Sequence, residues 1–181
     1  MTTEHYRKLQ IWFHRHPRLT QGIILLDRWL PLVPFVCYPV LLCLVNVRLV
    51  RLFLRTDVAF SVALDMMSPT ARAVLVPGFA FLFCTLLRDR LNRPRPYEQP
   101  GFEPLVQKET HGHSFPSRHA LSATVLAMVW LYFYPIAGSV MLVIAALICV
   151  LRVLTGVHHQ QDVLFGAALG VVFGFAGMWF L

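Results

Sequence analysis

The chain has 181 residues, 57% hydrophobic and 14% charged, with a formal net charge of +7. That length suits one domain, taken as 1–181, and the apolar runs are too long for a soluble core of this size; stretches of roughly 18 or more apolar residues read as membrane-spanning helices. The basic surplus is no nucleic-acid footprint, because much of it falls in short polar segments between apolar runs, where basic side chains attract anionic lipid headgroups.

Residues 3–18 mix basic side chains with Tyr6, Leu9, Trp12 and Phe13. Leu9, Trp12 and Phe13 stand at i, i+3 and i+4, which predicts an amphipathic helix within residues 1–20, lying in the headgroup region. The start does not read as a signal peptide: the charged region is long, Asp27 and Arg28 interrupt the apolar part, and no small-residue cleavage site follows. From Gly22 to Leu54 the chain holds either one long tilted span or an interfacial piece at 22–33 followed by a span at about 34–54. Pro31, Pro34 and Pro39 predict a kink there. Thr56–Pro69 is half apolar but too short to cross, and reads as interfacial.

A second span is expected from Thr70 to Leu87, and a third from His119 to Tyr134-Pro135, where Trp130, Tyr132 and Tyr134 form an aromatic belt. A fourth is expected from Gly138 to Leu154. The last, Asp162 to Leu181, carries Gly166, Gly170 and Gly174 at four-residue spacing, a face that lets another helix approach closely. Cys37, Cys43, Cys84 and Cys149 all lie in apolar stretches and read as packing residues, with neither disulfide nor zinc implied. The expected fold is therefore all-α: an integral membrane bundle of five or six spans with an N-terminal interfacial helix and a motif-bearing core at 70–181.

Long polar segments occur at 88–118 and 152–161. The third and fourth spans form a hairpin through a tight turn at 135–138, so both polar segments lie on one side of the membrane. Arg48, Arg51 and Arg55 favour a cytoplasmic loop, which places the polar face on the extracytoplasmic side of the cell membrane. With five spans the N-terminal basic residues pull the other way.

Three clusters meet on that side. Arg88 and Arg95 are seven apart, about two helical turns, and Pro94 and Pro96 predict that the helix ends near Arg93, turning Arg95 back over the site. In Gly112-His-Ser-Phe-Pro-Ser-Arg-His119, Ser117, Arg118 and His119 fall in the first turn of the third span. Free backbone N–H groups and the positive helix end there make a phosphate seat; Ser117 adds a hydroxyl donor, and His119 is placed to protonate a leaving oxygen. In Arg152–Asp162, His158 and Asp162 stand four apart and share a helix face. The aspartate there can accept the imidazole Nδ1 proton and leave Nε2 free to attack an electrophile. Arg152 offers a planar fork of donors for phosphate oxygens.

Arg88-x6-Arg95-Pro96, Pro116-Ser-Arg-His119 and Arg152-x5-His158-x3-Asp162 together resemble the three-part signature of the type 2 phosphatidic acid phosphatase family, membrane lipid phosphatases related to vanadium haloperoxidases. The resemblance covers roughly 70–181, and the short length and local runs look like a compact bacterial branch. It departs at three positions: Arg88 stands where the family commonly has Lys, Arg118 where it has Gly, and Leu151 where it has Ser. The resemblance implies that His158 attacks phosphorus to form a phosphohistidine, that Asp162 holds its ring, and that His119 protonates the departing oxygen and later deprotonates water. Arg88, Arg95, Ser117, Arg118 and Arg152 would surround the phosphoryl oxygens, with no metal or other cofactor. The implied substrate is a lipid phosphate: a polyprenyl (undecaprenyl) diphosphate, phosphatidylglycerol phosphate or phosphatidic acid.

Competing readings are a lipid phosphotransferase using the same site, an anion channel or transporter gated by the Arg/His cluster, and a metal hydrolase using His111, His113, His158 and His159. A channel has no use for His158 and Asp162 four apart opposite a second histidine at a helix start. The metal reading lacks carboxylates beyond Asp162 and Glu109. His111 and His113 are expected to be spectator loop histidines, the alternative being that they shape the headgroup entrance, and His159 is assigned no role. Partners other than the substrate and membrane lipids are not indicated.

Overall fold

The computed structural model describes residues 3–54 and 60–181. Helix α1 (Thr3–Arg15) is followed after His16 by α2 (Pro17–Trp29), with Pro17 at the first helical position, where its missing N–H costs nothing. A break at Leu30-Pro31 separates α2 from α3 (Leu32–Phe53), so the expected kink falls at Pro31 while Pro39 stays inside the helix. The helix break at Leu30-Pro31 agrees with the divided reading of 22–54, while the apolar stretch long enough to cross runs through it, from Pro17 to Val47. The α1 face differs from expectation: Tyr6 and Phe13 are buried and Trp12 is exposed, stacked on His16 at 4.3 Å.

Helix α4 (Phe60–Leu91) begins ten residues before the expected second span. Residues 60–69, expected to lie at the interface, instead continue it; Pro69 and Pro77 are accommodated within it. Arg55 and residues 56–59 fall outside the described part. After the polar stretch come α5 (Arg118–Phe133), α6 (Pro135–Leu154) and α7 (Gln160–Phe175), whose last turns widen to a π-helix over Ala176–Phe180. The α5–α6 turn is tighter than expected: Tyr134 alone intervenes, and Pro135 opens α6.

The result is an all-helical membrane bundle, with no strand among the described residues. Among the described residues four stretches are long and apolar enough to cross a membrane, Pro17–Val47, Ser68–Glu98, Pro135–Leu154 and Gln160–Phe180. Helix α5 is shorter, at 16 residues, and runs at their centre against α3, α4, α6 and α7, with Ala120–Trp130 entirely buried. Leu121, Val125 and Val129 of α5 pack with Leu41 and Val45 of α3 and with Ala73, Val76, Ala80 and Cys84 of α4. By contrast Leu75, Phe79, Leu82, Val143, Leu164 and Val172 face outwards, as lipid-facing side chains do.

The glycine face of α7 meets α5. A methyl group at Gly166 would come within 2.6 Å of the Ser117 carbonyl oxygen, one at Gly170 within 2.8 Å of the Leu121 carbonyl oxygen, and one at Gly174 within 2.5 Å of the Met128 Cβ. The four-residue repeat is thus the seam along which α7 meets the α5 backbone at Gly166 and Gly170 and the Met128 side chain at Gly174.

Candidate active site

The two polar segments close over one end of the bundle. Ser114 N–H donates to the Arg93 carbonyl (2.9 Å), Leu105 N–H to the Thr155 carbonyl (3.1 Å), and Ser117 N–H to the Asp162 carbonyl (2.9 Å). These main-chain links tie the end of α4, the start of α5 and the α6–α7 loop together.

His158 lies in the α6–α7 loop and is buried. Its Nδ1 is 3.7 Å from Asp162 Oδ2, an ion-pair distance longer than a hydrogen bond. The Ser114 hydroxyl fills the gap: it stands 3.5 Å from that nitrogen and donates a short hydrogen bond to the same carboxylate oxygen. Asp162 also accepts from the His159 amide (3.0 Å) and, on its other oxygen, from Arg93 Nη1 (3.0 Å). The imidazole thus has Nδ1 towards an acceptor pair and Nε2 turned away, the orientation a nucleophile requires. Burial pushes the His158 imidazole down to about 4, against the opposing pull of Asp162, and the nearby charges of Arg95 and Arg88 push the same way.

Arg88 is buried and donates from Nη1 to the Pro116 carbonyl at 2.9 Å. Helix α4 ends at Leu91, and Asn92 turns the chain with φ of 36°, so Arg95 folds back over the site as expected. Its Nε donates to the Gly112 carbonyl at 3.0 Å, and Glu98 fixes the turn by accepting from the Arg95 and Gly112 amides. Ser117 caps α5, its hydroxyl oxygen accepting from the Ala120 amide. The Arg118 and His119 amides open the helix without intrahelical acceptors, the arrangement that seats an anion. His119 lies within electrostatic range of Arg152, His158, Lys108 and Arg118.

Arg118 is exposed, its guanidinium over the Phe81 ring at 5.8 Å, on the rim rather than the floor. Arg152 is buried and engages Asp27 of α2. His113 pairs with Asp89 at 3.3 Å and His111 is exposed, so neither joins the centre; His159 is half-buried at the start of α7.

All eight residues singled out by sequence sit at this one end. Two further residues, Arg93 and Ser114, hold Asp162. Arg93 was one of four arginines in 88–95, and its signal was that a buried carboxylate calls for a countercharge beyond a neutral imidazole. Ser114 carried no pattern of its own.

A family model described as "PAP2 superfamily" matches residues 69–181. Phosphatidylglycerophosphatase B of Bacillus subtilis (strain 168) is 35% identical over 117 residues, 56% of this chain and 53% of that protein. Sphingosine-1-phosphate phosphatase 2 of Homo sapiens is 34% identical over 106 residues, 54% of this chain and 26% of that protein. The chain therefore spans about half the length of the first relative and about a quarter of the second. Among solved structures, the crystal structure of Aquifex aeolicus LpxE aligns over 97% of this chain and 93% of its own, with a TM-score of 0.65 and 22% identity. The crystal structure of a transmembrane PAP2-type phosphatidylglycerolphosphate phosphatase from Bacillus subtilis aligns over 96% and 90%, with a TM-score of 0.51 and 24% identity. Both structural likenesses concern the fold.

Proposed function

The chain belongs to the PAP2 superfamily, and from that premise we propose that it is a metal-independent lipid phosphate or diphosphate phosphatase working through a phosphohistidine. The observation that carries the reading is the meeting of Arg88, Arg95, the start of α5 and the Ser114–Asp162–His158 chain at one end of the bundle.

In the first half-reaction His158 Nε2 attacks phosphorus. An N–P bond forms as the P–O bond to the lipid breaks, and His119 donates a proton to the departing oxygen. In the second, His119 takes a proton from water. The resulting hydroxide attacks phosphorus, the N–P bond breaks, and inorganic phosphate leaves. Arg88, Arg95 and Arg152, with the amides at the start of α5, balance the charge gathering on the equatorial oxygens. For a hydrocarbon chain the site has a suitable neighbour. An apolar groove of about 450 Å³ between α6 and α7, lined by Val150, Val153, Leu154, Val163 and Leu164, lies at the helix ends that carry Arg152 and Asp162.

The test is phosphate release by purified protein from a panel comprising undecaprenyl diphosphate, phosphatidylglycerol phosphate and phosphatidic acid. Turnover should survive EDTA and fall with vanadate, which mimics five-coordinate phosphorus. Loss on chelation, restored by zinc or magnesium, would transfer the choice to a metal hydrolase. Phosphoryl transfer to an added lipid or sugar alcohol in place of phosphate release would make it a phosphotransferase.

Arg118 bears on the choice within the panel. The exposed Arg118 guanidinium supports a diphosphate substrate, whose second phosphate it would hold bidentately. We therefore favour a polyprenyl diphosphate. Arg118→Gly should lower kcat/KM for the diphosphate more than for a monophosphate, by about 1–2 kcal/mol. Equal losses on both substrates would put Arg118 at the reacting phosphate and remove the preference.

A further inference from the structure

Asp27 is the one acidic side chain of α2, and it is buried, 4% exposed. A carboxylate at that depth needs a cation, and it has one from the far end of the chain. Arg152 Nη1 stands 3.4 Å from Asp27 Oδ2, and Arg152 Nη2 donates to the Asp27 main-chain carbonyl at 3.3 Å. Two contacts from two nitrogens fix the plane of a guanidinium, which one contact does not. Arg152 is itself 4% exposed, and its Nε makes no hydrogen bond among the described residues. The edge of the fork facing α2 is thus committed, and Nε remains for another acceptor. Arg95 and Lys108 lie within electrostatic range of Arg152, so the carboxylate also offsets a concentration of positive charge.

The contact does not stand alone. Helix α1 docks on the same α6–α7 turn through Tyr6, whose hydroxyl donates to the Leu154 carbonyl (3.3 Å) and whose ring stacks on Phe102 with centroids 4.2 Å apart. Burial pushes the Tyr6 phenol up to about 12, so it stays a donor. Gly156, two residues before His158, has φ of 76° and leaves room for that ring; a methyl group there would lie 2.4 Å from the Tyr6 hydroxyl. Both N-terminal helices, which lie outside the family match, therefore bear on the segment from Arg152 to His158.

We propose that Asp27 is a positioning residue that sets the guanidinium of Arg152 towards the phosphate, making α2 a working part of the site. The inference rests on the proposed phosphoryl chemistry. It predicts that the loss of Asp27 is felt in the transition state, where the charge on the equatorial oxygens is greatest, more than in substrate binding.

The experiment uses the full chain in detergent or lipid and compares wild type, Asp27→Asn, Asp27→Glu, Arg152→Ala and the double variant Asp27→Asn/Arg152→Ala. Folded fraction and Tm are measured alongside kcat, KM and orthovanadate Kd. Asp27→Asn should lower kcat on the order of 10- to 100-fold, the range expected for a misplaced catalytic contact, with KM within about twofold and vanadate Kd raised in step with the loss. Asp27→Glu should restore a large part. Adding Asp27→Asn to Arg152→Ala should change neither kcat nor vanadate Kd further, because the group being positioned is gone.

A purely structural role gives another pattern, in which Tm and folded fraction fall while kcat per folded molecule and vanadate Kd hold; that result overturns the proposal. So does a double variant whose losses multiply. If the wild type hydrolyses nothing on the panel, the phosphatase reading fails. The vanadate arm still decides this one: coupled changes in Kd support it, and a Kd indifferent to Asp27 refutes it.

Discussion

His158→Ala should lower kcat by about 10⁵-fold or more, to the background of an empty preparation, because it removes the proposed nucleophile itself. Asp162→Asn should be the lesser lesion, between about 10²- and 10⁴-fold. Asparagine keeps an acceptor near the imidazole but loses the charge that Arg93 and the Ser114 hydroxyl now meet. The pH profile adds a second readout. An imidazole held down to about 4 by burial is neutral, and so competent, at every pH above that value, and is lost as nucleophile only on acidification through it. The enzyme's own acid limb in kcat/KM attributable to His158 therefore lies near pH 4 rather than at the ordinary imidazole value of about 6.5. A purified His158→Ala protein turning over at near wild-type rate would end the assignment.

The second large effect concerns packing. Gly170→Leu should yield no stably folded protein, and Gly170→Ala should cost about 1–3 kcal/mol, the range for forcing atoms into a close-packed interior. The reason is what surrounds the position. A Cβ at Gly170 would lie 2.8 Å from the Leu121 carbonyl oxygen and 3.1 Å from the Val125 amide, and backbone cannot move aside as a side-chain tip can. Gly78 is the control: it too sits in a long apolar helix, but nothing lies within 4 Å of a Cβ built there. Gly78→Ala should be neutral or slightly stabilising, since alanine is the better helix former. Thermal unfolding in detergent compares the pair. Equal Tm values for Gly170→Ala and Gly78→Ala would show that α5 and α7 do not meet as described.

What the sequence reveals divides along a physical line. Apolar length, the four-residue glycine spacing and the clustering of Arg, Ser and His beside it are local or periodic, so the helices, and the eight residues proposed for the site, stand out along the chain. The start of α4 was misplaced because Met66, Met67 and Ser68 neither break a helix nor mark one clearly. Arg93, Ser114 and Asp27 belong to pairs separated by 69, 48 and 125 residues. Such partnerships follow from how finished helices pack, and no window along the chain contains both halves. Asp27 did leave a trace, as an acidic group in an apolar stretch, where a charge signals a partner without naming it.

The hydrogen bond from the Ser117 amide to the Asp162 carbonyl lies beside Gly166, at the end of the seam between α5 and α7. The start of α5, the proposed phosphate seat, and Asp162, the proposed partner of the nucleophile, are therefore fastened to each other along one seam. In the proposed reaction the displacement would then belong mainly to the phosphorus atom, which moves from the leaving oxygen to His158 Nε2 as its substituents invert. The proposed chemistry would thus draw on amide dipoles already oriented by the contact of two helices.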